Sequence, residues 1–212
     1  MTAMRSLPPA TVLGVALSFF TPVLAGVPTV PSSPSAPTGI VLAQLNTDAQ
    51  IYLLRGLANV FSLGMDELAG KLEKQGFSPH VINWKFWPSA AGTIANNYRT
   101  GQTAPIIIIG HSLGADAVFP LAENLREKNI PVDYMVTFDV TKPHVLPQNV
   151  RSFVNYYQRN GFGRPVSAPP GYHGELSNID LTGVPGLTHG NIEEFNRLHE
   201  DVIRKIIQIT GR

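Results

Sequence analysis

The run Ile106-Ile107-Ile108-Ile109, followed by Gly110-His111-Ser112-Leu113-Gly114, constrains the fold of this chain more than any other stretch. Alternate side chains of a strand point to opposite faces, and here neither set is polar, so the isoleucines fit a strand buried on both sides. The residues that follow, Leu113 to Lys128, are compatible with a helix. A Gly-x-Ser-x-Gly pattern joining a strand to a helix demands a turn too sharp to leave room for a Cβ at its glycines. Such a turn holds the Ser112 hydroxyl on a corner at the strand's carboxyl end, beside a helix N-terminus. A nucleophile for acyl transfer sits in that position. For the five-residue pattern taken alone, an ordinary turn with a solvated serine is the alternative.

The surrounding chain alternates strand and helix patterns. Gln50 to Leu54 reads as a short strand, Met65 to Gln75 as a helix stopped by Gly76, and Pro79 to Asn83 as a second strand. Trp84 to Pro88 reads as an aromatic loop and Ser89 to Arg99 as a helix. After the isoleucine strand and its helix come strands over Val132 to Phe138, Val150 to Tyr157 and about Glu175 to Leu181. A last helix over Asn191 to Ile209 carries Ile192, Phe195, Leu198, Val202, Ile203, Ile206 and Ile209 at spacings of three and four, one apolar stripe for core packing. This alternation predicts an α/β fold: a mostly parallel central sheet with helices on both faces, three layers in all. Ligands of such sheets bind at the carboxyl ends of the strands.

Residues 1–25 have the pattern of an export signal: Arg5 at the start, an apolar run from Ala10 to Phe20, and Val23-Leu24-Ala25 as a small-residue cleavage site. The run is too short to span a bilayer and Pro22 interrupts it. Residues 26–39, rich in proline and serine, read as a linker, which places the domain at 40–212. The expected location is therefore periplasmic or secreted, with no stable membrane span in the mature chain. The formal net charge is +1, and removing Arg5 brings it to balance. With no basic run, nucleic acid is a poor partner. The absence of cysteine rules out a disulfide framework, a thiolate nucleophile and a cysteine metal site.

A nucleophilic serine needs a base within hydrogen-bond reach and a group to orient that base. Six histidines compete. His111 adjoins Ser112 and should point away from it, His80 lies in or beside an early strand, and His199 falls inside the last helix near its solvent edge. His144 follows Asp139 by five residues, and His173 sits in a Gly/Pro-rich loop. His189 precedes the last helix, on a loop that returns to the edge carrying Ser112. It is the preferred base, with His173 and then His144 as alternatives. For the acid, Asp139 ends the strand after the Ser112 helix, and a carboxylate there is costly unless paired. A turn-forming aspartate is the alternative reading of this position. Asp116 is accounted for by the dipole of the helix it opens, and Asp180 is a weaker candidate.

The order Ser112, Asp139, His189 is that of the α/β-hydrolases. On these residues and the Gly110–Gly114 turn, the region from about Ile40 to the C-terminus resembles the α/β-hydrolase superfamily, on its small esterase, lipase and thioesterase side. The resemblance implies an oxyanion hole made by the Leu113 N–H and a second N–H from Arg55-Gly56-Leu57, at Gly56 or Leu57. Unlike larger members of the superfamily, this chain has room for a minimal lid or none. The Gly161–Gly174 loop, Trp84, Phe86 and Trp87 are candidates to border the acyl pocket, core packing being the equal alternative for the aromatic residues. The implied activity is hydrolysis of a carboxylic ester or thioester through an acyl-enzyme on Ser112, acting on a small or lipid-like acyl ester. Neither a metal nor an organic cofactor is implied. Acyl transfer by the same triad, and a non-catalytic binding protein on the same fold, are the other readings.

Overall fold

The computed structural model describes residues 49–57 and 63–212. The expected leader and linker lie outside the described residues. Six strands form one sheet: β1 (Gln50–Arg55), β2 (His80–Asn83), β3 (Ile106–His111), β4 (Tyr134–Phe138), β5 (Ser152–Tyr157) and β6 (Glu175–Asp180). Their order is β2-β1-β3-β4-β5-β6, and every neighbouring pair is parallel. Among the described residues four helices pack with the sheet: α1 (Leu63–Lys74), α2 (Trp87–Arg99), α3 (Leu113–Arg126) and α4 (Asn196–Thr210).

The isoleucine run divides its side chains between two cores, as a strand period of two requires. Ile106 and Ile108 join Tyr52 and Leu54 against Ile94 of α2 and Val118 and Leu121 of α3. Ile107 and Ile109 join Ile51 and Leu53 against Leu68 and Leu72 of α1 and Val202 and Ile206 of α4. All four isoleucines are buried, and each such side chain contributes about 1.5–3 kcal/mol through burial. The three layers are thus α2 and α3, the sheet, and α1 and α4.

This order contains one switch point. From β1 the chain moves outward to β2, then crosses back past β1 to β3 and proceeds the other way through β4, β5 and β6. Loops leaving β1 and β3 therefore diverge to opposite faces, opening a crevice at their carboxyl ends. That crevice carries the Gly110–Gly114 turn.

Three local expectations need correction. Trp84–Phe86 is a short 3-10 turn capped by the Asn83 side chain, and Trp87 and Pro88 already belong to α2. Proline suits the first turn of a helix because its missing N–H would have no partner there. The expected single C-terminal helix is broken: Ile192–Glu194 form a 3-10 turn and Phe195 is extended (φ −72°, ψ 108°) before α4 begins. The turn backs onto the start of α1, where the Glu194 N would lie only 2.7 Å from a Cβ at Gly64. His199, expected near solvent, is fully buried. Its Nδ1 accepts from the Lys71 ammonium at 2.7 Å and its Nε2 donates to the Glu193 carbonyl at 2.5 Å.

Candidate active site

Ser112 follows β3 directly and has φ 55°, ψ −121°, a conformation that costs a non-glycine residue about 1–3 kcal/mol. The flanking glycines make it possible. A Cβ at Gly110 would fall well under 3.0 Å from the Gly114 carbonyl, and one at Gly114 well under 3.0 Å from the Leu54 carbonyl. The turn is also tied to the sheet, since Ser112 N–H donates to the Phe138 carbonyl at 3.0 Å, one residue beyond the paired strands.

The same device seats Asp139. Its N–H donates to the Tyr156 carbonyl at 2.8 Å, extending the β4–β5 ladder past the strand end, and its φ is 56°. The side chain is fully buried. Oδ1 accepts the Gln158 N–H at 2.8 Å, and Oδ2 lies 2.8 Å from His189 Nδ1. A carboxylate only accepts, so Nδ1 carries the proton in that bond. His189 Nε2 is then free to accept from the Ser112 hydroxyl, 2.9 Å away. One hydrogen-bonded line runs from Asp139 through His189 to Ser112, gathered from three loops at one end of the sheet.

His111 lines the cavity over this line, whereas His80, His144 and His173 are placed elsewhere. His144 Nε2 bonds Asp116 Oδ1 at 3.0 Å while its ring stacks on Phe119, with centroids 4.0 Å apart. His173 lines a separate cavity with Gln148, Arg151 and Tyr172. His80 packs its ring against Tyr52, and Asp180 pairs with Arg159 at 2.7 Å. Asp116 does more than complement a helix dipole. Its carboxylate accepts from Thr141 N–H, the Thr141 hydroxyl, Lys142 N–H and His144, which pins the loop leaving Asp139 to α3. The His144 hydrogen bond and those from the loop hold its carboxyl below the ordinary aspartate value, against the opposing pull of burial, which is the largest single influence.

A cavity of about 440 Å³, mostly apolar, opens over this line and is bordered by Leu57, Leu113, Thr141, Phe162, His189 and Gly190. Leu113 opens α3, so its N–H has no partner four residues back in the helix. Leu57 enters from the loop after β1, across the switch point. Gly56 is buried and does not border the cavity. Of the expected pocket residues, the Gly161–Gly174 loop contributes Phe162, whose ring centroid is 4.8 Å from that of His189. Trp84 and Trp87 instead pack against the core under α2 and α3. Phe86 borders a cavity at the β2 edge with His80 and Ile82. Between β4 and α4 the described residues form no helix beyond the one 3-10 turn.

Two buried polar residues near this line escaped the sequence reading. Buried Gln158 links both ends of the line: its N–H holds Asp139, and its side-chain amide donates to the Leu187 carbonyl at 3.1 Å, two residues before His189. Glu193 is buried beside His111. Neither stands in a local pattern; both act through contacts distant in sequence. Among the described residues no cluster of three or more metal-ligating side chains is present, and no helix is long and apolar enough to cross a membrane.

No family model matches this chain, and no curated protein matches it in sequence. Solved structures do. Human thioesterase 2 superposes with a TM-score of 0.50 at 13% identity, covering 77% of this chain and 98% of that one. A proposed hydrolase of the alpha/beta superfamily from Xanthomonas campestris pv. campestris gives 0.43 at 13% identity, with 74% and 98% covered. The RedJ thioesterase of the prodiginine pathway in Streptomyces coelicolor gives 0.46 at 11% identity, with 74% and 86% covered. The chain has the α/β-hydrolase fold. At these identities the likeness concerns the fold alone. Within the α/β-hydrolase fold, the crevice at the β1/β3 switch point is the place where Ser112, His189 and Leu57 meet.

Proposed function

We propose that this protein is a serine hydrolase that cleaves a carboxylic ester or thioester through an acyl-enzyme on Ser112. The observation that carries the reading is the unbroken hydrogen-bonded line, Asp139 to His189 at 2.8 Å and His189 to Ser112 at 2.9 Å. In the first step Ser112 Oγ attacks the acyl carbon while His189 Nε2 takes its proton. Asp139 holds the imidazole in the Nδ1–H tautomer and stabilises the imidazolium that forms. The tetrahedral oxyanion is received by the Leu113 N–H and a second N–H at Leu57 or Gly56, each such donor contributing about 2.7–4 kcal/mol. His189 then protonates the leaving group, and water repeats the sequence to release the acid.

The apolar cavity with Phe162 and Leu57 at its rim favours an apolar acyl group. A fluorophosphonate probe should form one covalent adduct, located on Ser112 by peptide mass spectrometry and absent from Ser112→Ala. Folded wild-type protein that forms no adduct would refute the reading. A chain-length series of p-nitrophenyl esters then measures the depth of the cavity.

A further inference from the structure

Beside His189 lie two buried ionisable groups for which the proposed chemistry has no use: His111, which also lines the cavity, and Glu193. His111, 2% exposed, ends β3, and Glu193, 0% exposed, sits in the turn before α4. His111 Nε2 lies 2.8 Å from the His189 backbone carbonyl, and because a carbonyl only accepts, Nε2 carries the proton. Glu193 Oε2 lies 3.4 Å from the same nitrogen without forming a hydrogen bond, and neither Glu193 oxygen has such a partner among the described residues. Two acceptors therefore face one N–H, and the nearer holds it.

Which acceptor wins depends on charge. Bonds to an ionised carboxylate are roughly twice as strong as bonds between neutral groups. A neutral Glu193 leaves the proton with the His189 carbonyl, whereas an ionised Glu193 outcompetes it. We propose that Glu193 and His111 form a positioning pair for the His189 loop, in which the charge on Glu193 decides whether His111 tethers the His189 backbone or releases it. The proposal rests on the reading of His189 as the base.

The surroundings keep Glu193 neutral at ordinary pH. Burial is the main cause, pushing its carboxyl up to about 8, and the carboxylates facing it, Glu194 in the same turn, Asp139 after β4 and Glu67 on α1, add to the effect. Its own N–H acts in the opposite direction. Burial likewise brings His111 down to about 4, with His189 reinforcing this and Asp139 and the His189 carbonyl opposing it. The buried His199 ring, with Lys71 behind it, occupies the Glu193 carbonyl rather than its carboxyl. At neutral pH the pair thus carries no net charge and the tether is closed.

The test is the rate of fluorophosphonate labelling, and of p-nitrophenyl butyrate hydrolysis, from pH 6 to 10 for wild type and Glu193→Gln. Wild type should rise to a plateau and then fall severalfold in kcat/KM through about pH 8. Glu193→Gln, neutral at every pH, should hold its plateau to at least pH 9.5. A wild type without the fall, or a parallel fall in both proteins, overturns the proposal. Nitrogen-15 imidazole spectra of the wild type give a second reading that needs no substitution and no catalysis. His111 Nε2 should remain protonated throughout and shift in a step near pH 8, and no step there also overturns it. Wild type that never labels, yet displays the step, refutes the hydrolase reading and not the pair.

Discussion

Gly163 lies in the loop after β5, and a Cβ placed there would fall well under 3.0 Å from Asp139 Oδ1 and 2.6 Å from the Gln158 N. These are the two atoms of the hydrogen bond that seats the buried acid. Gly163→Ala must therefore push the carboxylate or the Gln158 backbone aside by about 1 Å. Overpacking of this kind costs about 1–3 kcal/mol, and weakening a hydrogen bond to a buried charge lies in the same range. We expect a stability loss of about 2–3 kcal/mol by urea unfolding. Displacing the orienting acid by about 1 Å should lower kcat/KM on a p-nitrophenyl ester by about 100-fold. Gly161→Ala is the matched control. It lies two residues away, nothing is within 4 Å of its Cβ position, and its backbone is outside the left-handed region. It should leave the rate unchanged and stability within about 0.5 kcal/mol. If Gly163→Ala hydrolyses ester within twofold of Gly161→Ala, the reasoning about the seat of Asp139 is wrong.

Other expectations follow from the same geometry. Asp139→Asn should lower kcat by about 10⁴-fold, since an amide can hold the wrong His189 tautomer, and burst kinetics would detect slowed acylation. Phe162→Ala, at an exposed rim residue beside His189, should raise KM for longer acyl chains and leave acetyl ester hydrolysis within about threefold. The buried pair also makes stability depend on pH. Folded His111 titrates at about 4, below its unfolded value, so its contribution is present above pH 6.5 and lost toward about 4. Folded Glu193 titrates at about 8, above its unfolded value of 4.5, so its contribution is present below 4.5 and lost as pH rises to about 8. The two slopes oppose each other between pH 4.5 and 6.5. From pH 6.5 to 8 only Glu193 acts, and at 1.36 kcal/mol per unit wild type should lose about 2 kcal/mol. Urea melts of Glu193→Gln should lack that slope. Expression of the full chain in a bacterial host should yield exported protein beginning at Gly26, read from its intact mass; retention of residues 1–25 in the exported fraction would reject the leader.

Much of the frame was legible because it is written in local patterns. The four isoleucines specify two buried faces by period alone, and Gly110 and Gly114 announce a turn without room for a Cβ. Asp139 and His189 were legible by position, as the polar residues that end a buried strand and precede the last helix. The start of α2 at Trp87-Pro88 had a usable signal in the proline, masked by the aromatic cluster around it. The break at Phe195 had none, since Ile192 and Phe195 fit the apolar stripe, and the kink answers to the approach of α1 at Gly64. Gln158, Glu193 and the loop-pinning by Asp116 were hidden for a similar reason. Each works through partners about 20 to 80 residues away, and no window along the chain contains both halves of the contact.

The all-parallel sheet has a consequence for the life history of the molecule. Because no strand pairs with its neighbour through a hairpin, every pairing waits for a crossover to close, which slows assembly. In the proposed mechanism the nucleophile, acid and base are residues 112, 139 and 189, and a chain leaving the ribosome presents them in that order. Until the segment carrying Gln158 and His189 has docked, Ser112 is an unactivated alcohol. On the proposed mechanism a nascent or half-folded chain is inert toward esters, and the onset of probe labelling would serve as a clock for the completion of folding.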